Sequence, residues 1–91
     1  MFKFEWDDQK AASNLRKYGV SIDEAVSVFA DGQALTFADT GHFEPEDRSR
    51  TYGISNKGRL LVVIHTERRN NIRIISARKA TRYEKSIYEQ G

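Results

Sequence analysis

The chain has 91 residues, 38% hydrophobic and 31% charged, with ten aromatic residues; this describes one ordinary globular domain, too short for two cores and too aromatic for disorder. It has no cysteine and only two histidines, which removes disulfides and thiolate metal sites, makes a metal centre or cofactor unexpected, and suits a reducing cytoplasm. The net charge of +2 hides a segregation: residues 48 to 82 hold ten Lys or Arg against one acid, Glu67, whereas residues 1 to 47 hold four bases against ten acids.

The predicted elements begin with Phe2, Phe4 and Trp6 alternating with Lys3 and Glu5, the period of a half-buried strand. Asp7 or Asp8 can cap a following helix of about ten residues through Ala11, Ala12, Leu15 and Tyr18, with Gly19 as its stop. Ser21 and Glu24 have capping-box spacing and open a second, short helix with Ile22, Ala25, Val26 and Phe29 on its apolar face. Leu35 to Ala38 is compatible with a strand, and Asp39 to Asp47 reads as a polar loop containing Gly41, His42 and the single proline, Pro45.

Three strand-like stretches follow, 50 to 55, 59 to 66 and 72 to 78, punctuated by Asn56-Lys57-Gly58 and Arg69-Asn70-Asn71, turns short enough to impose antiparallel pairing. Strict alternation sets Arg59, Leu61, Val63 and His65 on one face, with Leu60, Val62, Ile64 and Thr66 on the other. In the last strand the same rule sets Ile72, Ile74, Ser76 and Arg78 against Arg73, Ile75, Ala77 and Lys79. Thr81 and Glu84 then give another capping-box spacing for a terminal helix. Helices grouped early and strands late imply an α+β layer: an antiparallel sheet of about four strands, two N-terminal helices on one face and a short C-terminal helix. The expected core includes Phe4, Trp6, Leu15, Val26, Phe29, Leu60, Val62, Ile64, Ile74 and Ile75. The longest apolar run, Leu60 to Ile64, is far short of a bilayer span, and acids among the first eight residues are unlike a signal sequence, so the expected location is cytoplasmic.

Positive charge gathered on one segment repels itself unless a polyanion or the acidic half of the chain relieves it, and a phosphate backbone is the usual polyanion. Certain strings carry a sharper signal. Phe4-Glu5-Trp6-Asp7, Lys17-Tyr18-Gly19-Val20-Ser21, Gly58-Arg59-Leu60-Leu61-Val62-Val63, His65-Thr66-Glu67-Arg68 and Ile72-Arg73-Ile74-Ile75-Ser76-Ala77-Arg78-Lys79-Ala80-Thr81 together span nearly the whole chain. They resemble the BrnT toxins. That resemblance implies a RelE-like ribonuclease of a type II toxin–antitoxin system that cuts RNA and stalls translation. It further implies neutralisation by a BrnA-like antitoxin, a dimeric toxin–antitoxin complex, and contact with DNA only through the antitoxin. Tyr18 departs from the pattern, standing where many members carry histidine.

Metal-independent RNA cleavage needs a proton removed from the 2′-hydroxyl, cations on the phosphorane and a proton for the leaving oxygen. His65 is the natural acid or base by intrinsic pKa, with Glu67 two residues on as its partner. Arg78 and Arg82 flank the start of the last helix and suit phosphate, so the expected catalytic set is His65, Glu67, Arg78 and Arg82. Arg59, Arg68, Arg69, Arg73 and Lys79 are expected to dock RNA, and Tyr52 or Tyr83 to stack on a base, Tyr83 having core packing of the last helix beside Ile87 as its alternative. The alternative is a non-catalytic nucleic-acid-binding or partner-binding module, a decayed toxin.

Overall fold

Asp7, rather than Asp8, starts the first helix: its carboxylate accepts the backbone N–H groups of Gln9 and Lys10, satisfying donors that a helix end leaves open. In a computed structural model that describes residues 3–39 and 48–91, that helix, α1, spans Asp8–Tyr18, after a short strand, β1, at Lys3–Glu5. Gly19 ends α1 at φ +68°, a left-handed position, with its N–H on the Leu15 carbonyl. The next helix, α2, spans Ile22–Ser27 and tightens into a 3-10 turn at Val28–Ala30. The chain continues as β2 (Leu35–Ala38), β3 (Arg48–Ile54), β4 (Leu60–Arg68), β5 (Asn71–Lys79) and α3 (Arg82–Gln90). Most of the predicted polar loop, with His42, falls outside the described residues.

The sheet has five strands rather than about four, in the order β1-β5-β4-β3-β2. The strands β2 to β5 form the expected antiparallel meander, and β1 joins its far edge parallel to β5, opposite Asn71 to Arg73. One face carries Leu61, Val63, Ile72, Ile74 and Ala77 against Val20, Ile22, Ala25 and Val28, the central apolar cluster. Phe4, Val26 and Phe29 pack at its margin. The terminal helix α3 crosses the opposite face and is tied down by the Tyr88 hydroxyl, which donates to Asp31 at 2.6 Å.

Several residues expected in the core are outside this cluster: Leu60, Val62 and Ile64 of β4 project to the opposite face, Ile75 of β5 is not among the cluster residues, and Trp6 is 37% exposed. Leu15 is 52% exposed, because α1 turns a polar residue inward instead. Past residue 73, β5 has no neighbouring strand on its outer edge, and the Asn14 amide fills that role: it accepts from Ala77 N–H at 3.0 Å and donates to Ala77 C=O at 2.8 Å. Burying two backbone groups unpaired would cost about 1–3 kcal/mol each. The need to meet them sets the rotation of α1 and leaves Leu15 outside.

A bulge changes the predicted face assignment of β5. Ile64 of β4 pairs with Ser76, and His65 with Ile74, so Ile75 is an extra residue on β5. Strict alternation would separate Arg73 from Arg78. The bulge shifts the parity and brings both onto the face away from α1 and α2.

Candidate nucleic-acid interface

Three cross-strand rows build this second face: Tyr52, Val62 and Arg78; Arg50, Ile64 and Ser76; Arg48, Thr66 and Arg73. Directly opposed residues share a face, so β3 contributes Arg48 and Arg50, β5 contributes Arg73 and Arg78, and the β4 spine between them is short and mostly apolar. With strands ~4.8 Å apart, the two arginine columns stand roughly 10 Å from one another. The N-terminus of α3 closes one end. Between them lies an open cavity of about 430 Å³ lined by Arg50, Tyr52, Ile64, Arg78, Tyr83 and Glu84, with Asp39 and Thr81 at its rim.

Arg50, Arg73 and Arg78 each have an acidic partner. The Arg78 guanidinium donates to both Glu84 carboxylate oxygens, at 2.7 and 2.9 Å, a two-point fork. Glu84 in turn accepts from the Thr81 N–H at 2.8 Å while its own N–H donates to Thr81 Oγ1, completing the predicted capping box. Arg78, followed by the Thr81 N–H, holds the Glu84 carboxyl down to about 2, against an ordinary 4.5, despite the burial that opposes ionisation. Arg50 lies over the rings of Phe37 (5.7 Å) and Tyr52 (6.0 Å), donates from Nε to the Tyr52 hydroxyl at 3.1 Å, and pairs with Asp39 at 3.6 Å. Arg73 faces Glu5 at 3.8 Å.

The structure divides the predicted site residues into separate groups. Arg73 and Arg78 lie on this face, and Arg68 extends the same row of β4 as Thr66 toward the exposed end of the strand. Tyr52 is only 3% exposed and forms the floor of the cavity, so it offers no free ring for stacking; Tyr83, 74% exposed at the rim, does. Arg82 is exposed in the first turn of α3 beside Tyr83, outside the cavity lining. Arg69 sits in the β4–β5 turn at φ +56°, and Lys79 is exposed near the Arg59 end of the sheet.

His65 is placed in the core. It is 1% exposed, beneath the helices, with its ring edge-on to Phe29 (5.0 Å) and Nε2 hydrogen-bonded to Thr51 Oγ1 at 2.7 Å. The Thr51 hydroxyl continues to Thr36 at 2.7 Å. Burial pushes the imidazole below its ordinary 6.5, with Glu67 partly opposing the shift. Glu67 does share that face, as expected, but it is opposite Ile72, on the side away from the arginines. The expected catalytic pair and the expected phosphate-binding arginine are therefore on opposite faces of one sheet.

Arg59 lies apart from this face. Its guanidinium grips the carboxylate of Glu24, 1% exposed, and also donates to the Gly19 carbonyl at 3.0 Å. Ser55 donates to the same carboxylate at 2.7 Å. Arg59, ahead of Ser55, holds Glu24 below the usual carboxylate range. The clamp ties the ends of α1 and α2 to the β3–β4 turn, and it explains why the second capping box is half made: Ser21 caps Glu24 N–H, but the Glu24 side chain is engaged elsewhere.

A family model described as the ribonuclease toxin BrnT of a type II toxin–antitoxin system matches residues 6–84. The chain belongs to the BrnT family. Its fold is that of the Brucella abortus ribonuclease toxin BrnT: a 1.1 Å crystal structure of that protein superimposes with a TM-score of 0.69 over 90% of this chain and 100% of the other, at 24% identity. No curated protein matches the chain. Membership in a type II toxin–antitoxin family implies an antitoxin partner. Among the described residues no helix is long and apolar enough to cross a membrane.

Arg50 and Glu84 line this cavity although the sequence did not mark them as site candidates, whereas Tyr83, considered for base stacking, stands at its rim. Arg50 was one of ten bases in a row of like residues. Glu84 carried a usable signal, because its capping-box position fixes its carboxylate beside the end of β5, where Arg78 emerges.

Proposed function

We propose that this BrnT-family chain is an endoribonuclease toxin that holds single-stranded RNA across the arginine face and cleaves it in the Arg50–Arg78 cavity without a metal. The observation that carries this reading is the convergence of Arg48, Arg50, Arg73 and Arg78 on one sheet face. As the ribose 2′-oxygen, its proton passing to water, attacks the adjacent phosphorus and the P–O5′ bond breaks, negative charge builds on the equatorial oxygens; the products are a 2′,3′-cyclic phosphate and a 5′-hydroxyl protonated from water. The guanidinium N–H groups that Arg50 and Arg78 do not spend on Tyr52, Asp39 and Glu84 stabilise that charge more than the ground state. Glu84 keeps the Arg78 fork fixed, so little reorganisation is needed when the charge develops. Tyr83 offers an exposed ring against which a base can stack at the rim. His65 and Glu67 are left out of this site: a ribose reaching His65 would have to displace Phe29 and Thr51.

The same face suits a BrnA-like antitoxin that presents acidic groups to the arginines, in a dimeric toxin–antitoxin complex that meets DNA only through the antitoxin. The RelE-like mode of action on translated RNA belongs to this proposal as well. One observation favours the second reading, a non-catalytic nucleic-acid-binding module: among the described residues this face carries no histidine, and the ionised Glu84 is a weak base. Expression in a bacterial host separates the readings. Growth arrest relieved by the product of the adjacent gene, together with RNA fragments from purified protein in EDTA, supports the toxin. Salt-sensitive RNA binding without arrest or fragments supports the module.

A further inference from the structure

The acidic half of the chain also contributes cations beside this face. On α1, Lys10, Asn14 and Lys17 are spaced by four and three residues and so form one stripe. Asn14 is fixed by its two hydrogen bonds to Ala77, which aims the whole stripe at the outer edge of β5. The lysines accordingly line a cavity of about 190 Å³ whose other walls include Tyr18, Ile75 and Ser76. Ser76 is the cross-strand partner of Ile64, which lines the Arg78 cavity. The two cavities are neighbours over the bulge.

We propose that Lys10 and Lys17, with Tyr18 in the wall beside them, form a second phosphate-binding subsite of the RNA path, taking the phosphodiester next to the one in the Arg50–Arg78 cavity. The inference rests on the reading of that cavity as an RNA site. The lysines are seven residues apart on the helix, ~10 Å along its axis, and the cavity is small, which suits a phosphate and its hydration rather than a base. Both lysines are exposed, and among the described residues neither makes an ion pair. Asp7, at the start of α1, is the acid that feels Lys10 electrostatically; one carboxylate leaves the pair net positive. The path then runs from Arg50 across β4 and over the bulged edge of the sheet to α1, turning the charge segregation of the sequence into a continuous basic track.

The test uses the whole protein and a fluorescent 2′-O-methyl oligoribonucleotide, which lacks the free 2′-hydroxyl needed for cleavage. Affinity is measured against KCl concentration for wild type, Lys10→Ala/Lys17→Ala, Arg50→Ala/Arg78→Ala, and Lys57→Ala/Lys85→Ala as a charge-matched control. The expected result is that the α1 double variant loses about 0.7 from the slope of log affinity on log salt, the value for one phosphate contact on a single strand, while the control keeps the wild-type slope. Loss of slope in the arginine variant but not in the α1 variant would overturn the subsite and leave the cavity standing. An arginine variant that binds like wild type would remove the cavity, and with it the subsite.

Discussion

Replacing Glu84 with glutamine isolates the charge that fixes Arg78. Glutamine keeps the side-chain volume and can still serve in a capping box, so what is lost is the ionic part of the fork. The distance between about 2 and the ordinary 4.5 corresponds to roughly 3 kcal/mol, at ~1.36 kcal/mol per pH unit of displacement. The Arg78 side chain is 39% exposed, and water screens such a pair, so the expected loss is smaller, about 1–2 kcal/mol. For a domain of this size that is a fall in Tm of about 5–10 °C. The folded-state pKa is depressed, so the contribution is complete above about 4.5 and disappears as pH falls toward about 2. Thermal unfolding of wild type and Glu84→Gln across pH 7 to 2.5 should therefore show two curves that converge at the acid end. Equal Tm values at pH 7, or a gap that persists unchanged at pH 2.5, would refute the assignment of the stabilisation to the Arg78–Glu84 charge. RNA affinity should not weaken in this variant, because an acid has left the cavity, whereas cleavage should slow because the guanidinium is no longer held.

Other expectations follow from the packing. His65 is buried with its pKa depressed, so the unfolded chain takes up the proton first; stability should be full above about pH 6.5 and decline by up to about 1.4 kcal/mol per pH unit just below it, a dependence that His65→Gln should flatten in urea titrations. Asn14→Leu leaves the Ala77 N–H and C=O without partners and should cost about 2–4 kcal/mol in denaturant unfolding despite its greater hydrophobicity. A Cβ at Gly53 would stand 2.6 Å from Val28 Cγ1 and 3.2 Å from Ala34 Cβ, so Gly53→Ala should destabilise by about 1–3 kcal/mol, measurable by calorimetry.

Where local chemistry alone decides, the sequence was legible. The Asp7 cap, the Gly19 stop, the Thr81–Glu84 box and the Asn56-Lys57-Gly58 turn, with Gly58 at φ +74°, all emerge where the residues place them. Non-local effects were not legible. Nothing in Lys3–Glu5 specifies that it will pair parallel with β5, and Ile75 carries no local mark of the bulge that brings Arg73 and Arg78 to one face. The inward turn of Asn14 and outward turn of Leu15 follow from an unpaired edge created by a strand 57 residues further on, beyond the reach of helical periodicity. His65 illustrates the same limit: intrinsic pKa selected it as an acid or base, while its burial depends on Phe29 and Thr51, which are far from it in the chain.

Single-turnover cleavage of a defined single-stranded RNA in EDTA, with wild type, Arg78→Ala and His65→Gln each first shown to be folded, tests the central claim most directly. Arg78→Ala should lower the rate about 10²–10³-fold, the scale for removing one group that stabilises the charge of the transition state, while His65→Gln should cleave at close to the wild-type rate. Undiminished cleavage by Arg78→Ala, or a folded but inactive His65→Gln, would place the chemistry on the other face of the sheet.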